Sequence, residues 1–315
     1  MNNEIPSSQF ELENMAISID DLINWLEDEN LTSYDPFDIQ SSKIWGYLTS
    51  KNSPPFTLIK KLLIISEKLF PNFIRIFSHK TKASTSVALF TSSCSMFYQT
   101  NKNDKLLKTI QDNLKWLEEN SSKGYSGYCW GLPFNWYLPE GIIAGINTPC
   151  STILIYMMDA FLLGHKVIGN DNYKKIAFSI ADFLIHDLNK DMLDENTICS
   201  SYTPLDNFHV INVNSYVAAS LYTIFGHTKD TKLINYSDKL INYVLKEQNE
   251  DGSWYYWGSQ KRTKDVVDSL HQCYILENLY RCYLINNDKR IFHSIQKGLD
   301  YFTKNLYHNG QIKKF

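Results

Sequence analysis

Two side chains near residue 270 are spaced for proton-transfer chemistry. Asp268 and His271 lie three residues apart in the segment VVDSLHQCYILENL, and residues at i and i+3 of a helix share a face. Histidine is the side chain best suited to acid–base catalysis near neutral pH, and a neighbouring carboxylate can fix its tautomer. We therefore predict that His271 is a catalytic acid or base oriented by Asp268. Asp268 would equally suit the N-terminal cap of a helix.

A second group of polar residues lies upstream, in the segment SYTPLDNFHVINVN. We predict that Asp206 or His209 provides a second catalytic group opposite His271. Substrate-binding hydrogen bonds are assigned to Tyr202, Asn212 and Asn214. A histidine in an apolar segment is also common as a hydrogen-bonded core residue, and that alternative stays open for His209 and His271.

Large aromatic residues, which make up 14% of the chain, are concentrated in the predicted loops. Such rings line small-molecule sites, where sugars, lipids and bases pack against them. The segments around CWGLPFNWY and GSWYYWG supply the predicted substrate-binding residues Trp130, Asn135, Trp136, Trp254 and Tyr256. The alternative is that these rings form a minor core at one end of the domain.

The elements that must position these residues repeat along the chain. Four amphipathic segments open with Asp104, Asp171, Asp230 and Asp288, spacings of roughly 60 residues that are typical of a helical repeat. A more apolar helix precedes each of them, and these inner helices are predicted over Ser84–Tyr98, Thr148–Leu163, Asn212–Phe225 and Asp268–Ile285. Further helices are predicted over Asp20–Glu29 and over Phe56–Phe77, broken at Pro71.

This pattern predicts an all-α fold, a single (α/α)n toroid of about five to six helical hairpins. The domain is expected to span residues 1–315, with a more irregular part over 1–55. The long loops would then lie together at one end, around a central pocket.

Composition and charge exclude several classes of function. The chain has 31 Lys and Arg against 34 Asp and Glu, a net charge of −3, so nucleic acid is not an expected partner. The N-terminal segment lacks the basic and apolar regions of a secretion signal. The apolar stretch Ile153–Leu163 carries Asp159 and is too short to span a bilayer. We therefore predict a cytoplasmic protein with no transmembrane segment and no cofactor, whose six cysteines are reduced and mostly buried.

Five motifs, in order, resemble a bacterial family found in capsule, exopolysaccharide and O-antigen gene clusters. They are CWGLPFNW, NTP, YTPLDNFHVINVNSY, DGSWYYWG and VVDSLHQCYILENL. That family is similar to six-hairpin glycosidase-type α/α toroids, including glucuronyl C5-epimerase-like and unsaturated-uronyl hydrolase-like domains. The resemblance implies that the characteristic positions are held by Trp130, Asn135, Trp136, Tyr202, Asp206, Asn212, Asn214, Trp254, Asp268 and His271. Asn135 stands where the family has an aspartate, which weakens a mechanism based on paired carboxylates.

A more distant likeness connects the chain to terpenoid toroids. Residues 243–254 resemble part of the QW motif of triterpene cyclases, and residues 268–279 resemble a helix of the protein prenyltransferase β-subunit. The acidic DxDD motif and the Asp-x-Cys zinc segment of those families are absent from this sequence. Their chemistry is therefore not expected here.

Three functions follow from these observations. The first is a carbohydrate-active enzyme of cell-surface polysaccharide biosynthesis, of hydrolase, lyase or uronyl epimerase type, whose partners would be a sugar, oligosaccharide or polysaccharide and other polysaccharide-assembly proteins. The second is a non-catalytic glycan-binding or assembly factor on the same toroid. The third is a zinc-dependent enzyme in which Cys129 and His271 converge on a metal ion.

Overall fold

The computed structural model describes residues 20–34, 39, 42–50, 53–70, 80–262 and 264–312. The helices are α1 (Lys43–Ser50), α2 (Pro54–Leu69), α3 (Ser84–Tyr98), α4 (Asp104–Glu119), α5 (Leu154–Ile168), α6 (Asp171–His186), α7 (Ile211–Thr228), α8 (Thr231–Lys246), α9 (Ser269–Asn286) and α10 (Lys289–Tyr301). Residues 20–28 are also helical. Short antiparallel pairs join β1 (Thr32–Ser33) to β2 (Thr81–Lys82), β3 (Trp136–Tyr137) to β4 (Ile143–Ala144), β5 (Lys190–Asp194) to β6 (Thr197–Ser200) and β7 (Tyr307–His308) to β8 (Gln311–Ile312).

Four helical hairpins account for most of the described chain. Helices α3, α5, α7 and α9 each pack against the helix that follows them, and successive members of this set also pack against one another. They are therefore the inner helices, and α4, α6, α8 and α10 are the outer ones. This arrangement confirms the predicted all-α class and the alternation of apolar and amphipathic helices. The assignment of residues 1–315 to one domain stays a prediction.

The outer helices begin where polar caps satisfy their first backbone amides. Asn103 and Asn170 cap α4 and α6, so Asp104 and Asp171 occupy the first helical turn, where a carboxylate favours the helix dipole. Asp230 and Asp288 are themselves the caps of α8 and α10. The repeated Asn/Asp signal therefore marks the starts of the outer helices, as predicted.

The second inner helix begins later than its sequence suggests. The predicted start was Thr148, whereas the structure has a short 3-10 turn at Ser151–Ile153 followed by α5 from Leu154. The reason is that Cys150 donates its backbone amide to the Trp130 carbonyl at 3.0 Å, which holds the chain extended. The predicted N-terminal helix over Phe56–Phe77 is found as α2, and its 71–77 end lies outside the described residues.

The most apolar segment is a core element. The prediction that this stretch is too short to span a bilayer was wrong, because the helical segment continues beyond Leu163: Ser151–Ile168 is long and apolar enough to cross a membrane by length and composition, but 56% of it is buried in the structure. That burial is typical of the core helix of a soluble protein. All six cysteines are free thiols and all but Cys273 are buried, as predicted.

Candidate active site

His271 and Asp268 form a close pair at the start of α9. Asp268 is the N-cap of the helix, and its Oδ1 accepts the backbone amide of His271 at 2.9 Å. Its Oδ2 lies 2.5 Å from Nδ1 of the same histidine. Both side chains stay partly accessible, at 27% for His271 and 22% for Asp268. The two predicted roles of Asp268, helix cap and partner of the imidazole, are therefore filled at the same time by its two oxygens.

The pair has a defined charge state. Burial opposes ionisation of Asp268, but hydrogen bonds from the side chain and backbone of His271 outweigh it and hold the pKa of the carboxyl below its usual value. A carboxylate at Nδ1 requires a proton on that nitrogen. In the neutral ring, Nε2 is then the basic nitrogen, and it has no hydrogen-bond partner among the described residues.

Tyr256 covers one edge of the imidazole. Its ring centroid lies 4.6 Å from that of His271, with the two planes perpendicular. The backbone around it is fixed, because its amide donates to the Val266 carbonyl at 2.9 Å and its carbonyl accepts from Ile211 at 3.3 Å. Burial, reinforced by Asp268, raises the pKa of Tyr256 to about 12. Its phenol therefore keeps its proton at neutral pH and is able to donate it.

Two further aromatic residues extend the site toward the loops. The rings of Trp136 and Tyr202 meet at 5.0 Å and 72°. The Tyr202 hydroxyl accepts a hydrogen bond from Thr152 at 3.1 Å. Burial, with Cys150 and Tyr256 close by, raises the pKa of Tyr202 well above its usual value. Of the three predicted binding residues, Tyr256 therefore contacts His271 directly, Tyr202 is close enough to Tyr256 to feel its charge, and Trp136 packs against Tyr202.

Three tyrosines from different inner helices continue the site below His271. Tyr274 follows His271 by one helical turn, and their ring centroids are 6.1 Å apart. Tyr216 of α7 lies 5.5 Å from Tyr274, and its hydroxyl meets that of Tyr156 from α5 at 2.9 Å. We call the set Trp136, Tyr202, Tyr256, Tyr274, Tyr216 and Tyr156 the aromatic array. Sequence reasoning missed its three lower members, because their helical spacing also fits a buried core.

An ion pair spans the interior beneath these tyrosines. Arg281 of α9 bonds Asp159 of α5 at 2.8 Å and Glu277 at 3.2 Å. Helix α7 lies between α5 and α9 in chain order and packs against both, so this bridge crosses the concave side of the hairpin arc. Arg281 follows His271 by ten residues, or roughly 15 Å along the helix axis. Burial raises the pKa of Asp159, and Arg281 offsets part of that effect.

Comparisons with known proteins identify the architecture. No family model matches the chain, and no curated protein sequence matches it. Among solved structures, a cellobiose 2-epimerase from Bacillus thermoamylovorans aligns with a TM-score of 0.58 and 13% identity over 74% of this chain and 66% of its own. A D-mannose isomerase aligns at 0.57 and 10%, over 76% and 65%. A possible GH105 family member from Salmonella enterica aligns at 0.52 and 12%, over 88% and 72%.

The fold is an α/α toroid. The chain spans slightly less than two thirds of the length of the epimerase and isomerase structures. At these identities, the likeness shows the shared fold.

Two predicted binding residues belong to the framework of the toroid. Trp130 and Trp254 are fully buried, at 0% and 1% exposure. The Trp130 indole donates to the Leu117 carbonyl at 2.8 Å, and the Trp254 indole donates to the Val244 carbonyl at 2.9 Å. Leu117 and Val244 are each third from the end of an outer helix, where carbonyls lack helical partners. The two rings therefore cap equivalent helix ends and present no face to a ligand here.

Asp206 also organises its own loop. Its Oδ1 accepts the amides of Tyr202 and Phe208 at 3.1 and 3.0 Å, and its Oδ2 accepts the amide and hydroxyl of Thr203, both at 2.7 Å. With 1% exposure, it has no free oxygen to offer a substrate. Asp206 instead fixes the backbone of Tyr202 in the site.

His209 points away from His271 toward the outer layer. Its Nε2 lies 2.6 Å from Asp191 on β5, and its ring lies 6.3 Å from that of Tyr243 on α8. Its carbonyl accepts the Gly258 amide at 2.7 Å, and Val210 bridges to Trp257. His209 thus anchors the strand that holds the Tyr256 loop, and the structure does not bring its imidazole to the dyad.

The three predicted asparagines have separate surroundings. Asn214 is buried, accepts the Ser200 amide at 2.8 Å and donates to the Val210 carbonyl at 3.0 Å. Asn212 is 3% exposed, and its Oδ1 has no partner among the described residues. Asn135 is exposed and accepts the Ile146 amide at 3.0 Å across the β3–β4 hairpin.

The donor set for zinc does not assemble in the part of the chain that the structure describes. No group of three or more His, Cys, Asp or Glu side chains there is placed to hold a metal ion. Cys129 is buried with its sulfur against the Ser122 carbonyl, and burial raises its pKa to about 12. Such a thiol is a poor source of the thiolate that zinc prefers.

Proposed function

We propose that this chain is a carbohydrate-active enzyme that moves a proton on a reducing sugar, as an epimerase or isomerase does. One observation carries the proposal: the His271 imidazole is held through Nδ1 by Asp268 at 2.5 Å, while Nε2 has no partner among the described residues, the side chain is 27% accessible and the Tyr256 ring lies 4.6 Å away. An oriented base next to a weak acid is the arrangement required for enolisation.

In the proposed reaction, His271 acts as the base and Tyr256 acts as the acid. His271 Nε2 removes the proton from the carbon next to the carbonyl of the open-chain sugar. The electrons of that C–H bond form the carbon–carbon double bond of an enediol, and Tyr256 gives its proton to the carbonyl oxygen. Return of a proton to the opposite face of the same carbon, with the proton on the former carbonyl oxygen going back to Tyr256, gives the epimer. Return of a proton to the former carbonyl carbon, with loss of the proton on the neighbouring hydroxyl to the base, gives the ketose.

The carboxylates of the site favour this chemistry over glycoside hydrolysis. Hydrolysis by the usual route needs two carboxyl groups facing the same bond. Here Asp268 is bound to His271, Asp206 accepts four hydrogen bonds, and Asp159 is paired with Arg281. A His–Tyr pair is therefore the better-supported catalytic apparatus. The aromatic array would bind the sugar ring, with Trp136, Tyr202 and Tyr256 as contacts.

Two of the structural neighbours support this assignment, whereas others are named as a possible GH105 family member and a polysaccharide lyase. Two of the proteins that share the toroid are named as a cellobiose 2-epimerase and a D-mannose isomerase. We further propose, from the sequence motifs, that the protein is bacterial and cytoplasmic, acts without a cofactor, and serves cell-surface polysaccharide production together with other assembly proteins.

Proton exchange with solvent tests the proposal without knowledge of the product. The purified chain is incubated in D2O with glucose, mannose or cellobiose, and loss of the proton next to the carbonyl is followed by NMR. We expect the wild-type chain to catalyse exchange on at least one of these sugars. His271→Ala should lower the rate by a factor of about 10² to 10⁴.

A matched variant separates catalysis from folding. His293→Ala removes an exposed histidine of α10 and should leave exchange unchanged, while circular dichroism reports the helical content of both variants. Full exchange in folded His271→Ala would refute the catalytic assignment. A wild-type chain that binds these sugars but exchanges no proton would instead establish the glycan-binding alternative.

A further inference from the structure

The charged side chains that surround the aromatic array are predominantly acidic. Asp268 and Asp206 hold its upper part, through His271 and the Tyr202 loop, and Asp159, Glu277 and Arg281 lie beneath its lower part. In the part of the chain that the structure describes, these four carboxylates and one guanidinium give a balance of −3 when His271 is neutral.

Arg281, the cation of this group, is already paired with two carboxylates. Arg281 places Nη1 at 2.8 Å from Asp159 and Nη2 at 3.2 Å from Glu277. A guanidinium that faces two carboxylates has no net positive charge to offer a third. The basic side chains of the loop that follows Tyr256 are also engaged, because Arg262 pairs with Asp265 and Lys261 Nζ donates to the Asn207 carbonyl. An anionic sugar beside the array would therefore experience the net charge of −3.

The same carboxylates also raise the pKa of the phenols in the aromatic array. After burial, the largest further influence that raises the pKa of Tyr256 is Asp268. Glu277 and Asp159 act in the same direction on the phenol of Tyr156, and Asp268 and Glu277 do so on Tyr274. These carboxylates belong to two inner helices, α5 and α9, and each raises the pKa of a phenol, while Arg281 acts in the opposite direction on Tyr156.

From this arrangement we infer that the site takes a sugar without an anionic group, either uncharged or bearing a protonated amine, and selects against uronates and sugar phosphates. The inference rests on the proposed function and narrows its substrate class. It also separates the uronyl type of reaction from the others that the sequence suggested. Proton removal next to a carboxylate is favoured by a cation that holds the charge that develops, and Arg281 is already paired with Asp159 and Glu277.

Binding of three sugars that differ at one group tests the inference. Glucose, glucosamine and glucuronate share the same ring, and isothermal calorimetry or NMR titration gives their dissociation constants. We expect glucuronate to bind at least tenfold more weakly than glucose, and glucosamine to bind at least as tightly as glucose. Glucuronate that binds as tightly as glucose would overturn the inference.

A conservative variant connects the selectivity to the named charges. Glu277→Gln removes one carboxylate at a position that is 54% exposed, and it also releases part of Arg281. The ratio of the glucuronate to the glucose dissociation constant should fall several-fold. Glu195→Gln, in the exposed turn between β5 and β6, is the matched control and should leave the ratio unchanged. An unchanged ratio in Glu277→Gln would contradict the assignment.

Cys273 gives a readout that needs no sugar. It is the one cysteine that is not buried, and Glu277 and Asp268 both act on its thiol. The cationic reagent aminoethyl methanethiosulfonate should therefore modify it at least tenfold faster than the anionic sulfonatoethyl analogue, relative to a small free thiol. Cys273→Ser should abolish this labelling. If the preference for the cation holds but no sugar binds, the proposed function fails while the acidic interior stands; if the anion reacts as fast, the acidic interior itself is refuted.

Discussion

The two oxygens of Asp268 perform separate tasks that substitutions can separate. One oxygen accepts the His271 amide and caps α9, and the other holds the imidazole Nδ1. In Asp268→Asn the side-chain carbonyl can still cap the helix. The amide nitrogen then faces Nδ1 and donates to it, which places the ring proton on Nε2. The variant should therefore fold with its histidine in the unreactive tautomer.

The magnitudes follow from these contacts. A charge-assisted hydrogen bond contributes about 1.5–3 kcal/mol and a neutral one about 1 kcal/mol, so Asp268→Asn should lower the free energy of unfolding by about 0.5–2 kcal/mol. Loss of the basic nitrogen should reduce the exchange rate by about 10² to 10⁴. Asp268→Ser retains a good N-cap but leaves Nδ1 without its carboxylate. It should therefore retain the fold and lose activity to a similar extent.

Two measurements on the same samples decide the matter. Urea unfolding gives the stability of each variant, and deuterium exchange on the sugar that the wild type accepts gives the activity. Asp268→Ala is the reference for loss of both roles and should lose about 1 kcal/mol for the missing cap in addition to about 1.5–3 kcal/mol for the charge-assisted hydrogen bond. The reasoning is refuted if folded Asp268→Asn exchanges protons at the wild-type rate.

Three further predictions address the surroundings of the pair. Gly252→Ala should lower the free energy of unfolding by about 2–4 kcal/mol, because φ is +94° and the new Cβ would lie 2.2 Å from the Lys297 carbonyl oxygen. The control Gly124→Ala has φ +88° but no atom within 4 Å of the new Cβ, so it should lose less stability in the same urea experiment. His209→Gln should reduce exchange less than tenfold while costing about 1–3 kcal/mol of stability, and near-complete loss of exchange in a stable variant would return His209 to a catalytic role. Because the folded pKa of Tyr256 is raised to about 12, its contribution to stability is complete below pH 10 and is lost as the pH rises toward 12. The alkaline decline in the urea midpoint should shrink in Tyr256→Phe, and an identical decline would contradict this account.

Local signals in the sequence predicted the framework well. Helix starts at the Asn/Asp turns, the apolar inner helices and the Asp268–His271 pair all depend on contacts within one or two helical turns. Such contacts are visible in a linear pattern. Helix α3 is found over Ser84–Tyr98, the range that the pattern predicts.

Contacts between distant segments were harder to predict. No local sequence signal distinguishes an aromatic ring that faces a ligand from one that caps a helix. Trp136 and Trp254 were therefore assigned the same role, although only Trp254 is fully buried. The bridge between Asp159 and Arg281 joins residues 122 positions apart. A carboxylate in an apolar helix requires a partner, but which residue pairs with Asp159 depends on the curvature of the hairpin arc.

The two buried indoles have a consequence for how this fold can vary. Trp130 and Trp254 each fasten a long loop to the end of an outer helix by one hydrogen bond to the same carbonyl position. Between that hydrogen bond and the next inner helix, exposed stretches that make none of the contacts described above, such as Ser259 and Gln260, can change with little effect on the helical frame. The two attachment points are equivalent, so loops could be exchanged between hairpins or between related toroids. Each new loop would have to begin with its tryptophan, so that the hydrogen bond to the end of the outer helix is kept.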